Sequence, residues 1–288
     1  MTRKLPTFIE VETATYCNRT CTWCPNGWND RGRREQYISD VVWLKLLNEL
    51  SEYDYKGWFA FHNYNEPLAD PTIFEKINQA RHLLPKAKLA LYSNGDYLTQ
   101  EVLGQLAELG VDETRVTLYP SASHAFDKPS TARMISFLNR LSIDVASKDI
   151  CETSKRIEVR IDFQGTELHI IVPHIQLYTD RGGAVPLEEL TLQTVRTQPC
   201  FLPSLSAAID YQGNLKLCCQ IYDATLPANQ QYIIGNVADE GFMQLWFSEK
   251  MEMFRRRLST ADFEGLDACT HCTHALSLYQ RQALNERA

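Results

Sequence analysis

The chain has 288 residues, room for one large domain and one smaller one at roughly 150 residues per domain. Hydrophobic residues make up 44% and charged residues 23%, the balance of a globular protein, and no apolar run approaches the roughly 20 residues of a membrane helix. Lys plus Arg is 29 against 36 Asp plus Glu, a net charge of −7 with no basic block, which argues against a membrane or nucleic acid as the main partner.

Phe8 to Thr15 alternates apolar and polar residues and predicts a strand that feeds the first cysteine. Ser39 and Asp40 cap a predicted helix through about Glu52, with Val42, Leu46, Leu47 and Leu50 on one face. Strands are expected at Trp58–His62, Leu89–Ser93 and Thr114–Tyr119, and helices at Thr72–Leu84, Glu101–Leu109 and Thr131–Leu141. Strand-like runs follow at Glu158–Phe163 and Leu168–Val172. Such alternation implies parallel strands with right-handed crossovers, and a partly closed β/α barrel or an open doubly wound sheet satisfies it. In both, functional loops follow the C-terminal ends of the strands.

The composition changes near Asp180, where Arg181-Gly182-Gly183 and Pro186 read as a linker. Beyond it, Gln212-Gly213-Asn214 between two apolar runs predicts a hairpin, Ser204–Asp210 with Leu215–Cys219. Phe242 to Leu258 carries one apolar helical stripe.

Nine cysteines, an odd number, are the informative count. The first residues lack the apolar core of a signal peptide, so a reducing cytoplasmic location is expected, where clustered cysteines bind metal or do redox chemistry. Cys17, Cys21 and Cys24 place three thiols within eight residues. Soft thiolates select iron–sulfur clusters or zinc. Zinc wants a fourth ligand, which His62 could supply through space. Three thiolates on a four-iron cluster would leave one iron open to a substrate or cofactor. Cys200, Cys218, Cys269 and Cys272 form a second group, whose Cys269-Thr270-His271-Cys272 knuckle fits zinc, a redox pair or a cluster.

Cys-x3-Cys-x2-Cys after a first strand, with Trp23 before its last cysteine, resembles the signature of the radical S-adenosylmethionine (SAM) superfamily. The resemblance implies a partial (β/α)6 TIM-like barrel over residues 1–185 whose open iron chelates SAM and whose electron cleaves it to a 5′-deoxyadenosyl radical. Trp23 would pack near the adenine. His62-Asn63-Tyr64-Asn65-Glu66-Pro67 resembles the family's Gly-Gly-Glu-Pro loop, with Asn65 in place of the second glycine. Glu66 would there accept from the SAM ammonium. Ser93-Asn94-Gly95 resembles the Ser/Thr-Asn-Gly segment after the third strand, and Tyr119 and Ser121 stand where relatives contact the ribose. Solvated turns are the plainer reading of each of these loops.

The second cysteine group resembles the auxiliary-cluster domain of the same superfamily, in its abbreviated "twitch" rather than its longer SPASM form. That implies a cysteine-rich α+β domain over residues 186–288 and a second [4Fe–4S] cluster, two in all. Cys151 and Cys219 remain over. Cys219 reads as a buried apolar cysteine, as a hydrogen-atom donor, or as a ligand exchanged with Cys218. Arg181 reads as a clamp for a substrate or SAM carboxylate, or as part of the linker. His169 and His174 read as structural, and Arg255-Arg256-Arg257 as a solvated helix end.

The expected activity is therefore hydrogen abstraction from a small polar substrate, such as an aminocyclitol or sugar, or from a peptide. Flavodoxin or ferredoxin is the expected reductant. Oxidation is the favoured outcome, with the auxiliary cluster as electron acceptor; epimerisation through Cys219 and peptide crosslinking are the alternatives. A non-enzymatic iron–sulfur electron carrier or zinc-binding module would need neither an open iron nor Glu66.

Overall fold

Short apolar strands alternate with capped amphipathic helices through the first half of the chain. In order they are β1 (Phe8–Val11), α1 (Asp40–Glu52), β2 (Trp58–Ala60), α2 (Ile73–Leu83), β3 (Lys88–Ser93), α3 (Gln100–Glu108), β4 (Glu113–Thr117) and α4 (Thr131–Arg140). The computed structural model describes residues 4–120, 130–144, 146, 149–190, 195–276, 281 and 284–285. Ser39 Oγ accepts from Val42 N at 3.3 Å and Thr99 Oγ1 from Val102 N at 3.2 Å, closing orphan donors at the starts of α1 and α3. The buried face of α1 is Val42, Trp43, Leu46, Leu47 and Leu50. It packs in the main core with Ile9 and Val11 of β1 and Phe59 of β2.

Three strands follow: β5 (Cys151–Glu152), β6 (Arg156–Phe163) and β7 (Thr166–Pro173). Gln164 and Gly165 join β6 to β7 with φ of +54° and +91°, the left-handed pair that a two-residue hairpin requires. The C-terminal third contains α5 (Leu202–Leu205), β8 (Ser206–Ile209), β9 (Asn214–Lys216), β10 (Ile233–Asn236), α6 (Val237–Glu240), α7 (Phe242–Trp246), α8 (Glu249–Ser259) and α9 (Asp267–Thr270).

All ten strands join one sheet in the order β10-β9-β8-β1-β2-β3-β4-β7-β6-β5. Its middle six, β8-β1-β2-β3-β4-β7, are mutually parallel. Six parallel strands suit a partial barrel, but a sixth β/α unit does not supply the last of them. It is β8, from the C-terminal third, laid along β1 with Phe8 opposite Ser206 and Val11 opposite Ile209. The free edge of β1 would otherwise leave a row of unpaired backbone groups. The apolar faces of the strands meet the helices, and the other face forms a lumen.

Two local expectations change. The stripe from Phe242 to Leu258 is not one helix: Ser248 adopts an extended conformation, and its hydroxyl accepts from Met251 N at 3.2 Å, starting α8 afresh. Strand β9 stops at Lys216, so Cys218 and Cys219 lie on the bend beyond it. Among the described residues no helix is long and apolar enough to cross a membrane.

Candidate active site

The loop after β1 carries Cys17, Cys21 and Cys24, folded tightly by its own backbone. Cys17 N donates to Gly32 O at 2.9 Å, Cys24 N to Cys21 O at 3.0 Å and Gly27 N to Cys24 O at 2.9 Å. A Cβ at Gly27 would stand 2.3 Å from Cys21 O, so the turn closes only around glycine. Glu12 and Arg31, both buried, brace the loop with a two-bond ion pair. Burial pushes the Cys17 and Cys21 thiols up to about 12, and the neighbouring thiols push each further.

The structure brings Glu66, Ser93 and Asn94 together beside this loop. The buried Glu66 carboxylate accepts from Ser93 Oγ at 2.7 Å, Asn94 N at 2.7 Å and Leu68 N at 3.1 Å. Burial raises its pKa to about 7, against the pull of these donors. Asn94 Nδ2 reaches Asn18 Oδ1 at 2.7 Å and stands 3.9 Å from Cys17 Sγ. The Asn65 side chain accepts from Asn63 N at 3.1 Å and donates to Thr13 Oγ1 at 3.4 Å. Trp23 is buried in a small apolar cluster with Cys21, Val185 and Leu190. Its ring lies 5.9 Å from that of Tyr119, and Tyr119 lies 6.1 Å from Tyr178. Ser121 falls outside the described residues.

Folding gathers Cys200, Cys218, Cys269 and Cys272 from three segments. Burial raises the Cys218 thiol, and all three of the others raise it further. Sequence reasoning missed the brace of this group. Arg196 donates to the carbonyls of Cys272 at 3.1 Å and His274 at 3.0 Å, while its backbone N–H holds Thr270 O at 2.7 Å.

Cys219 neighbours this group and also feels Glu10. Burial raises its thiol, and the charge of Glu10 raises it further while Arg181 lowers it. Arg181, read either as a clamp or as part of the linker, is tightly held. It has φ +53° ahead of two left-handed glycines, a strained run typical of functional sites. Its guanidinium lies 5.7 Å from the Tyr64 ring. Its charge also lowers the Cys24 thiol and the His274 imidazole.

The lumen wall is polar, which the sequence did not reveal. Glu10 on β1 accepts from Asn63 Nδ2 at 3.1 Å, and His62 Nε2 stands 3.4 Å from the same carboxylate oxygen. Burial drives His62 down to about 3 and Glu10 up to about 7. The imidazole is therefore neutral and its Nδ1 has no partner. Farther round, Arg115 stacks 3.9 Å over Tyr92 and pairs with Glu113 at 2.6 Å. His169 bonds Glu158 at 2.7 Å.

Buried thiols that raise one another are costly as thiolates unless a thiophilic cation compensates them, which fits iron–sulfur ligation. Among the described residues no three His, Cys, Asp or Glu side chains converge as on a single ion; a cube spreads its ligands over separate irons.

Two family profiles match the chain: the radical SAM superfamily over residues 11–128, and SPASM, an iron–sulfur cluster-binding domain, over residues 200–273. The chain is 25% identical over 271 residues, 94% of each protein, to the S-adenosyl-L-methionine-dependent 2-deoxy-scyllo-inosamine dehydrogenase of Niallia circulans. It is 27% identical over 106 residues, 36% of this chain and 28% of the relative, to the tungsten-containing aldehyde ferredoxin oxidoreductase cofactor-modifying protein of Pyrococcus furiosus. The crystal structure of BtrN with AdoMet and 2-DOIA has a similar fold, with a TM-score of 0.72, 24% identity and 95% of each chain covered.

Proposed function

On the premise that this chain belongs to the radical SAM superfamily and carries a C-terminal SPASM iron–sulfur domain, we propose that it is a dehydrogenase. Its substrate is a small polar alcohol of the aminocyclitol class, oxidised by two electrons to a ketone. Cys17, Cys21 and Cys24 hold a [4Fe–4S] cluster, and Cys200, Cys218, Cys269 and Cys272 hold a second. When bound, SAM with the first cluster would supply a radical that accepts a hydrogen atom from the substrate carbon, and the second cluster would supply an acceptor for the remaining electron as the hydroxyl proton passes to solvent. A flavodoxin or ferredoxin provides the reducing electron.

The chain's own residues bind, orient and exclude water. Glu66, fixed by Ser93 and Asn94, holds the ammonium of SAM by a charge-assisted bond. Trp23 and Tyr119 wall its adenosyl side, and Arg181 offers a bidentate grip to a carboxylate. Residues 1–185 form the barrel unit and residues 186–288 the auxiliary unit, which lends β8 to the sheet.

The observation that carries this reading is the buried Glu66 carboxylate, held by Ser93 and Asn94 beside Cys17 of the first cysteine group. A metal store needs no such carboxylate. The end-to-end similarity to an aminocyclitol dehydrogenase supports the substrate class. The test is anaerobic reconstitution with SAM, dithionite and 2-deoxy-scyllo-inosamine. The expected result is 5′-deoxyadenosine and ketone in equal amounts; no 5′-deoxyadenosine above the substrate-free control overturns the reading. Cys219, which feels the charge of Glu10, favours epimerisation as the second reading. Solvent deuterium at carbon in recovered substrate would select it.

A further inference from the structure

The sheet register sets one row of residues across the lumen: Lys216 opposite Ala208, Ala208 opposite Glu10, Glu10 opposite Ala60, and Ala60 opposite Ala90. Side chains directly opposite on neighbouring strands share a face. Glu10 and Lys216 are the long side chains at this end of the row, with only alanine between them, and Glu113 stands opposite Ala90 farther along. Lys216 comes from β9, in the C-terminal third, and is 0% exposed. Its ammonium donates to Asn63 Oδ1 at 3.0 Å and lies 5.2 Å from the Tyr64 ring. Among the described residues it forms no ion pair: Glu10 and Asp210 feel its charge from beyond contact distance. An ammonium carries three donors, and a buried charge is costly unless its donors are taken. One is taken here.

We infer that Lys216 is a substrate-binding residue supplied to the barrel by the auxiliary region, its free donors holding a ring hydroxyl of the cyclitol. Glu10, two strands away and joined to it through Asn63, takes the substrate's ammonium. The opposed charges fix which way round the ring lies, because an ammonium is repelled from Lys216 and a hydroxyl gains a charge-assisted bond there. The pocket is complete only when β8 and β9 are docked along β1. This inference rests on the aminocyclitol reading above.

The test compares wild type with Lys216→Met, reconstituted with both clusters, using 2-deoxy-scyllo-inosamine as probe. Lys216→Met is expected to raise KM at least tenfold, with kcat within threefold of wild type. Lys216→Gln, which keeps a donor and loses the charge, is expected to recover part of that rise. An unchanged KM, or a fall in kcat alone, overturns the inference. If Lys216→Met binds less iron than wild type, Asn63→Ala breaks the same link from the barrel side. It must then raise KM, and an unchanged KM there is equally fatal. Wild type that leaves the probe unoxidised instead removes the aminocyclitol reading, so the two failures are distinct.

Discussion

Cys17, Cys21 and Cys24 share one loop of eight residues, whereas Cys200, Cys218, Cys269 and Cys272 arrive from segments spread between residues 200 and 272. The first group is braced from within: Glu12 and Arg31 flank it in sequence and form a buried pair. The second depends on a sheet extension and on Arg196 reaching across to a distant turn. A local loop costs little closure entropy, and a gathered site needs the whole C-terminal third in place. The difference teaches where each group is vulnerable, and which chemistry survives when the other fails.

The sharpest break in that comparison is a pair of cysteine variants. Cys21→Ala is expected to abolish 5′-deoxyadenosine formation and to keep about half of the iron. Cys269→Ala is expected to lose the other half yet still release 5′-deoxyadenosine, with the ketone missing. Iron analysis and chromatography on the same samples check both. Equal loss of both products in the two variants would mean that the groups are not separable.

Next in size is Arg31→Met. It strands Glu12 without its partner in a buried site and releases the contact of Arg31 with Asp223, 3.7 Å away. A broken buried pair costs about 3–5 kcal/mol, to be read as a lowered unfolding midpoint. Arg31 touches both regions, so this variant should loosen both iron sites. Smaller again is Arg196→Ala, which removes charged hydrogen bonds worth about 2 kcal/mol each to the Cys269–His274 turn. Iron should leave the second site faster under chelation while the first keeps its rate.

Much of the candidate site is legible because the relevant residues are near in sequence. The Cys-x3-Cys-x2-Cys spacing, Glu66 before a proline, and Ser93-Asn94 after a strand each carry their own signature. Glu10 and Lys216 carry none. Each sits at a polar position of an alternating strand, Phe-Ile-Glu-Val and Asn-Leu-Lys-Leu, and reads as solvent-facing. Curving the sheet turns that face inward, and both become buried. Arg181 had two readings at the sequence level; its left-handed backbone and its place over Tyr64 are features that no local pattern announced.

The amino-acid sequence by itself determined the β/α alternation, the helix cap at Ser39, and the identity of the sulfur-rich loop, because these depend on residues a few positions apart. Only the tertiary structure decided that β8 would complete the parallel sheet, that Cys219 would come near Glu10, and that a lysine from the far end of the chain would enter the lumen. Each of those is a pairing between segments far apart in the chain, set by strand register and by which surfaces are buried, and local patterns hold no record of either.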